Sequence, residues 1–581
     1  MAPKRKQLHD EPENSHSAAN KRQTRRKIST AAPAPAPAAR RGRKRTSVTS
    51  SVASNKGSLV SATDSISTTI TEPDDKKLET VEETQADDEQ VESSLTDVVV
   101  VKKPEYAPYK LKKTTAKVIN PTPSLKSEPL NVYVFGTGSM AELGLGPEAK
   151  TKEVKRPRLN PFLPIDSVSI VDFAVGGAHV VAIDKHGKLW TWGGNDHGVL
   201  GRNTSTGEAG LLRDADADDD DDDDGDLNPS ESTPAPVEGI PDEVVFVQVA
   251  ASDNLTVALT NEGRVWTWGT FRCNEGILGF NEHTEFQRTP IQIPIEFPVA
   301  QIATGQDHVL ALTTTGRVYS WGNGQQFQLG RRVLDRAKMQ ALHPREFGIK
   351  NIKYIASGEF HSFAIDISGN VLTWGLNQYG QCGIPSEGAG EDGAVITSPT
   401  YVDGLKDRDI VSIAGGEHHS IALSSSGDAY VFGRIDMHEI GIEKDELPET
   451  AVKDQAGHAR FLPVPTKLPV DDDEKFKFVA CGTHHNIALA QSDGSAWSWG
   501  FGETYQVGQG PAGEDVEIPT KIENTATKGV NMVLAGAGGQ FSVIGGIPPK
   551  QQEEPEKEET LNNKESGKQA DESNTENQEG H

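Results

Sequence analysis

Five histidines recur in one setting along this chain: His179 in GGAHVVAI, His308 in GQDHVLAL, His361 in GEFHSFAI, His419 in GEHHSIAL and His485 in GTHHNIAL. Imidazole binds metals and moves protons near neutral pH, so a repeated histidine is the first place to look for chemistry. The spacing argues against a metal. Adjacent pairs such as His418-His419 point to opposite faces of a strand and do not converge on an ion. Cys273, Cys382 and Cys481, the only cysteines, lack zinc-ligand spacing and cannot form a disulfide framework. They read as reduced thiols of a cytosolic or nuclear protein. No G-x-x-x-x-G-K-[ST] loop is present to cradle a phosphate. The repeat histidines are therefore expected to tie one strand to the backbone of the next unit. No metal, no cofactor and no covalent catalyst is expected.

The elements around these histidines repeat as well. An aromatic-glycine pair closes a short apolar run seven times: Phe135-Gly136, Trp192-Gly193, Trp268-Gly269, Trp321-Gly322, Trp374-Gly375, Phe432-Gly433 and Trp499-Gly500. The closer follows the histidine by 13 residues at His179, His308, His361 and His419, and by 14 at His485. Gly187, Gly316, Gly369 and Gly427 lie between the two and mark hairpin turns, because glycine tolerates positive φ. The flanking segments alternate apolar with small or polar residues, the period of strands. Each unit is a small antiparallel sheet that cannot bury its faces alone, and radial stacking solves that problem. The expected fold is all-β, a seven-bladed β-propeller. The last unit, 533–546, has a histidine-like start (Phe541 in its place) but no closer. The first, 131–136, has a closer without a start. The N-terminal strand should therefore pair into the last blade and close the ring.

Composition divides the 581 residues into three parts. Strand periodicity is confined to the middle, taken as a propeller over 129–547. Residues 1–128 and 548–581 read as disordered tails, the first basic at its start and the second acidic, because neither can bury enough apolar surface to fold. The first tail carries three cationic clusters: Lys4, Arg5 and Lys6; Lys21, Arg22, Arg25, Arg26 and Lys27; and Arg40, Arg41, Arg43, Lys44 and Arg45. These fit nuclear targeting and contact with nucleic-acid phosphates. The acidic run 214–226 reads as a solvated insertion. No apolar run approaches a membrane span, so no membrane partner is expected.

The G-x-x-H, W/F-G and Leu-Gly repeats, the ring closure and the basic tail resemble the regulator of chromosome condensation family, the guanine nucleotide exchange factor for the small GTPase Ran. The resemblance covers about 131–546. Its most specific stretch is 265–280, where W-G-x-F-R is followed by N-x-G-x-x-G. Residues 281–291 match the length of the family's wedge, a β-hairpin that pushes into the GTPase, and the resemblance implies contacts from Phe280, Glu282, Thr284, Phe286 and Gln287. It also implies that Asp253, Asp307 and His418 meet a Ran-type GTPase at the G-x-x-H corners, where Thr483-His484 could join them. The segment 331–353 sits where the family has a basic nucleosome-contacting loop, with Arg331, Arg332, Arg336 and Arg345 as candidates. The implied activity is release of GDP by stabilising the nucleotide-free GTPase. The implied setting is a nuclear, chromatin-associated protein bound to nucleosomes and DNA and carried by an import receptor. It would support nucleocytoplasmic transport and spindle and nuclear organisation. The competing reading is a non-catalytic propeller scaffold on chromatin or in a ubiquitin-related complex.

Overall fold

The structure is a computed structural model that describes residues 110–112, 115–205, 226–385, 394–471 and 473–549. The three basic clusters, the C-terminal tail and nearly all of the acidic run lie outside the described residues. Seven antiparallel sheets of four or five strands follow one another around a ring. Blade 1 shows the plan: Ile170–Val175 innermost, then His179–Asp184, Leu189–Gly193 and the short outer pair Ala235–Pro236. Blades 2 to 6 occupy 246–293, 299–346, 352–401, 410–467 and 476–521. Blade 7 is built from both ends of the domain. Asn531–Ala537 and Phe541–Ile547 supply its inner strands, and Asn131–Thr137 and Glu153–Leu159 its outer ones. The join is in register, with Val132 opposite Gly545 and Val134 opposite Val543. Closure removes the two free edges that an open stack would expose.

All seven closing aromatics are fully buried between blades. Their glycines all sit at φ between +109° and +119°, and a Cβ there would lie 2.2–2.6 Å from the carbonyl oxygen of the residue preceding the repeat histidine, or its substitute, in the same blade. No other residue fits both constraints.

The histidines join one blade to the next. His179 Nε2 meets Thr256 Oγ1 at 2.8 Å, and His308, His361 and His485 meet Ser362, Ser420 and Ser542 at 2.7–2.8 Å. His419 meets Asn486 Oδ1 at 2.8 Å. Each partner then donates to a backbone carbonyl: Val199, Gln328, Gln381, Gln506 and Glu439 respectively. With the partner's own proton committed, the imidazole must donate from Nε2, which fixes the tautomer. Burial pushes these imidazoles down, to about 4 at His179 and His419 and about 3 at His308 and His485, so they stay neutral.

The two corners without histidine obey the same logic. Leu255 and Phe541 take the histidine's place, and the partner positions on the following blades are Val309 and Val180. An apolar residue in one blade is thus matched by an apolar residue in the next. Where Leu255 stands, the preceding glycine is also replaced, by Ser252; elsewhere a Cβ at that glycine would crowd the imidazole, 2.2 Å from Cε1 at Gly305, Gly358 and Gly416. The pairing makes a quantitative expectation. His361→Leu and Ser420→Val should each destabilise the fold by about 2 kcal/mol, and the double variant by about 1 kcal/mol less than their sum. Urea midpoints of the four proteins measure this, and strict additivity would contradict the pairing.

Residues 115–128, expected at the end of a tail, lie against the blades instead. The Ile119 N–H donates to Thr314 O at 2.8 Å, Asn120 Nδ2 donates to Ile352 O at 2.9 Å, and Lys126 pairs with Asp172 at 2.8 Å. Leu125 packs beside the cores of blades 1 to 3. The segment straps the ring across the turns between second and third strands.

Candidate functional site

In each blade the corner between strands one and two and the loop after strand three lie at the same end of the sheet. This end is opposite the strap. Two residues before each repeat position, the chain reads Gly177, Asp253, Gln306, Glu359, Glu417, Thr483 and Gly539 around the ring. Five consecutive corners therefore present polar side chains to the mouth of the central channel. They line a cavity of about 90 Å³ and an adjoining one of about 400 Å³.

The polar groups interlock across the mouth. Gln306 Nε2 donates to Asp253 Oδ2 at 2.9 Å and lies 3.5 Å from Glu359 Oε2. From the other side of the ring, Thr483 Oγ1 donates to Glu359 Oε1 at 3.1 Å. Asp307, one residue further along its corner, accepts the Arg272 N–H at 2.7 Å. His418 stands beside Glu417, with Nδ1 3.2 Å from its Oε2. The sequence-derived residues Asp253 and Asp307 are thus within one cluster, and His418 joins it through Glu417. Gln306, Glu359 and Glu417 were not anticipated. Their signal is the shared place two residues before the histidine, where residue types differ but side chains converge.

Crowding sets the electrostatics. Burial, with the charge of Asp253 behind it, pushes Asp307 up to about 7. Burial also raises Asp253. Glu359 rises well above the usual carboxylate range through burial and its neighbours Asp253, Glu417 and Asp307. Glu417 goes the other way: burial acts to raise it, and His418, His484 and Arg434 outweigh that. Keeping several carboxylates where their charged forms are disfavoured costs stability, a pattern concentrated at functional sites. Among the described residues, no group of His, Cys, Asp and Glu has a metal-holding arrangement, and no helix is long and apolar enough to cross a membrane.

The hairpin is not at 281–291. Phe271–Cys273 pairs with Gly276–Gly279 as a separate two-stranded sheet that follows the closer of blade 2. Arg272, Asn274, Glu275 and Ile277 are exposed on it. The W-G-x-F-R and N-x-G-x-x-G motifs are its two arms, and the turn needs the glycine at Gly276, with φ +119°. Downstream, Phe280 is buried in the blade core, and Gln287 opens the outer strand Gln287–Ile293. Glu282 is exposed and pairs with His343 at 2.7 Å. The Thr284 N–H donates to Asn281 Oδ1 in the connecting turn. Phe286 stacks on His197 at 5.7 Å, with Arg288 5.6 Å from its ring.

The basic loop begins beside the hairpin. Lys338 lies 3.7 Å from Glu275, and a groove of about 380 Å³ separates residues 332–338 from 273–278. Arg332, Arg336 and Arg345 are exposed, whereas Arg331 is half-buried and its guanidinium reaches back to Ser320 O at 3.5 Å. Arg345 sits in the two-residue outer strand of blade 3.

Comparison with known proteins places the whole ring. The chain matches the RCC1-like domain family over residues 131–544. It is 51% identical to "Guanine nucleotide exchange factor SRM1" of Saccharomyces cerevisiae over 73% of this chain and 88% of that one. It is 31% identical to the human "Regulator of chromosome condensation" over 72% and 91% of the two chains. Among solved structures it resembles Prp20p of Saccharomyces cerevisiae, described with its binding properties to Gsp1p and histones, at TM-score 0.68 and 50% identity over 74% of this chain and 94% of that one. It also resembles yeast RCC1 (Prp20) bound to Kap60, at TM-score 0.69 and 49% identity over 78% and 97%.

Proposed function

This chain belongs to the RCC1-like domain family, and we propose that it is a guanine nucleotide exchange factor for a Ran-type small GTPase. The observation that carries this reading is the joint placement of the acidic mouth and the exposed hairpin 271–279 on one face, in a chain half identical to a named exchange factor. Exchange of this kind needs no covalent chemistry. A surface that binds the nucleotide-free GTPase better than the GDP-bound one speeds release, because only differential binding lowers the barrier. Asp253, Asp307 and His418 supply contacts from the mouth, and the hairpin, with Phe286 beside it, acts as the wedge. Release of fluorescent GDP from Ran, followed with and without catalytic amounts of the full chain, tests the reading. An unchanged release rate leaves the scaffold alternative.

The protein acts in the nucleus on chromatin in this reading, with an import receptor as a further partner; the similar Prp20, described with its binding properties to histones and seen bound to Kap60, supports it. The cationic clusters of residues 1–60 provide sequence-independent affinity for DNA phosphates. If they make about six contacts, affinity falls about a thousandfold between 50 and 200 mM salt. Removing 1–60 should flatten that dependence in a filter-binding or anisotropy titration. Full retention of affinity and slope would shift the role to Arg332, Arg336 and Arg345.

A further inference from the structure

In six of the blades the loop after the third strand has one residue whose carbonyl is held by the next blade. In three blades it is a glutamine: Gln328, Gln381 and Gln506. Each turns its amide oxygen onto the N–H two residues earlier, at 2.8, 2.9 and 3.1 Å. Glu142 and Glu439 make that contact with one carboxylate oxygen, to the N–H of Met140 and Met437. A carboxylate does nothing for the loop that an amide does not, and burying one is costly.

At Glu439 the second oxygen has a use. Its Oε1 lies 3.2 Å from His484 Nδ1. His484 Nε2 lies 3.3 Å from Glu417 Oε2, and the same oxygen is 3.2 Å from His418 Nδ1. Glu439, His484, Glu417 and His418 stand in one line drawn from three loops. His418 Nδ1 is buried without a well-angled hydrogen bond. Tyr379 meets the ring edge-on at 4.8 Å, and Arg434 lies 5.2 Å over Tyr379.

We propose that His484 and Glu439 are positioning residues that fix His418, through Glu417, for contact with the GTPase; this rests on the exchange reading above. Two further observations support the line. Glu439 is held below the usual carboxylate range, since burial acts to raise it and His484 and His419 outweigh that. Glu142 has the same loop position, and burial pushes it up to about 7.

The test uses His484→Gln and Glu439→Gln in the full chain. The second is compatible with the fold, since glutamine fills that place in three blades. Each should lower kcat/KM for GDP release about fivefold, the range of coupled contacts, with the thermal midpoint moved by less than about 2 °C. Neither should lower exchange further in a His418→Ala background, because the line acts only through that ring. The imidazole NMR resonances of His418, recorded without any GTPase, should shift in both variants. Additive losses in the His418→Ala background, or resonances of His418 that stay in place, would overturn the proposal. If His418→Ala alone leaves exchange intact, the rim assignment fails instead, and the resonance shifts still decide whether the line holds the ring.

Discussion

Asp307→Asn is expected to make the propeller more stable and the exchange reaction slower. The carboxyl is buried, and its pKa stands at about 7 against an ordinary 3.8. A group raised on folding contributes stability that is full below the unfolded value and is lost as pH rises through the folded one. The variant's advantage should therefore grow from about pH 4 and level off above pH 7, at about 2–4 kcal/mol. Asparagine keeps the oxygen that accepts the Arg272 N–H, so the hairpin's anchor survives. Exchange should move in the opposite direction. Loss of a charged contact to the GTPase costs about 1.5–3 kcal/mol, or about 10- to 100-fold in kcat/KM at pH 8. Wild-type exchange should fall as pH drops through 7, and the variant should show no such limb. Denaturant unfolding from pH 5.5 to 8.5, run beside exchange assays over the same range, gives both readings. A variant that is less stable with normal exchange would make Asp307 a turn residue.

Removal of residues 1–138 is expected to abolish cooperative unfolding, whereas removal of 1–108 should leave it intact. The longer cut deletes Asn131–Thr137, which pairs with Phe541–Ile547 on one side and Glu153–Leu159 on the other. It opens the ring and leaves an unpaired edge in blade 7, a template for aggregation. An intermediate cut at 126 removes the strap and should lower the midpoint while the transition stays cooperative. Thermal melts with light scattering separate the three. Equal midpoints for the cuts at 108 and 138 would contradict closure by the N-terminal strand.

The ring was legible because its punctuation is chemical. Trp192 and its six counterparts must be aromatic to fill the space between blades, and Gly193 and its counterparts must reach a φ closed to other residues. The missing halves at Phe135 and Phe541 pointed to the closure for the same reason. Asp253 and Asp307 could be placed at corners, but their neighbours Gln306, Glu359 and Glu417 could not. Those side chains meet only once five blades have closed round a channel, and no local rule requires a given residue type there. Residues 281–291 match a hairpin in length alone, and the strands that pair lie just before them. Those strands, Phe271–Cys273 and Gly276–Gly279, are too short to show alternation. The strap was hidden altogether: 115–128 is polar and proline-rich, and it is held by single contacts at Ile119, Asn120, Leu125 and Lys126 rather than by a periodic face.

The most direct measurement is the affinity of the full chain for Ran in two states, stripped of nucleotide and loaded with GDP, at one salt concentration. A catalyst of release must hold the stripped form more tightly by the factor through which it weakens GDP, since binding free energies are reciprocal. At least about a thousandfold preference for nucleotide-free Ran is expected. Excess GDP should dissolve the complex, and Asp307→Asn should shrink the preference. Equal affinity for the two forms, however tight, would contradict exchange by this surface.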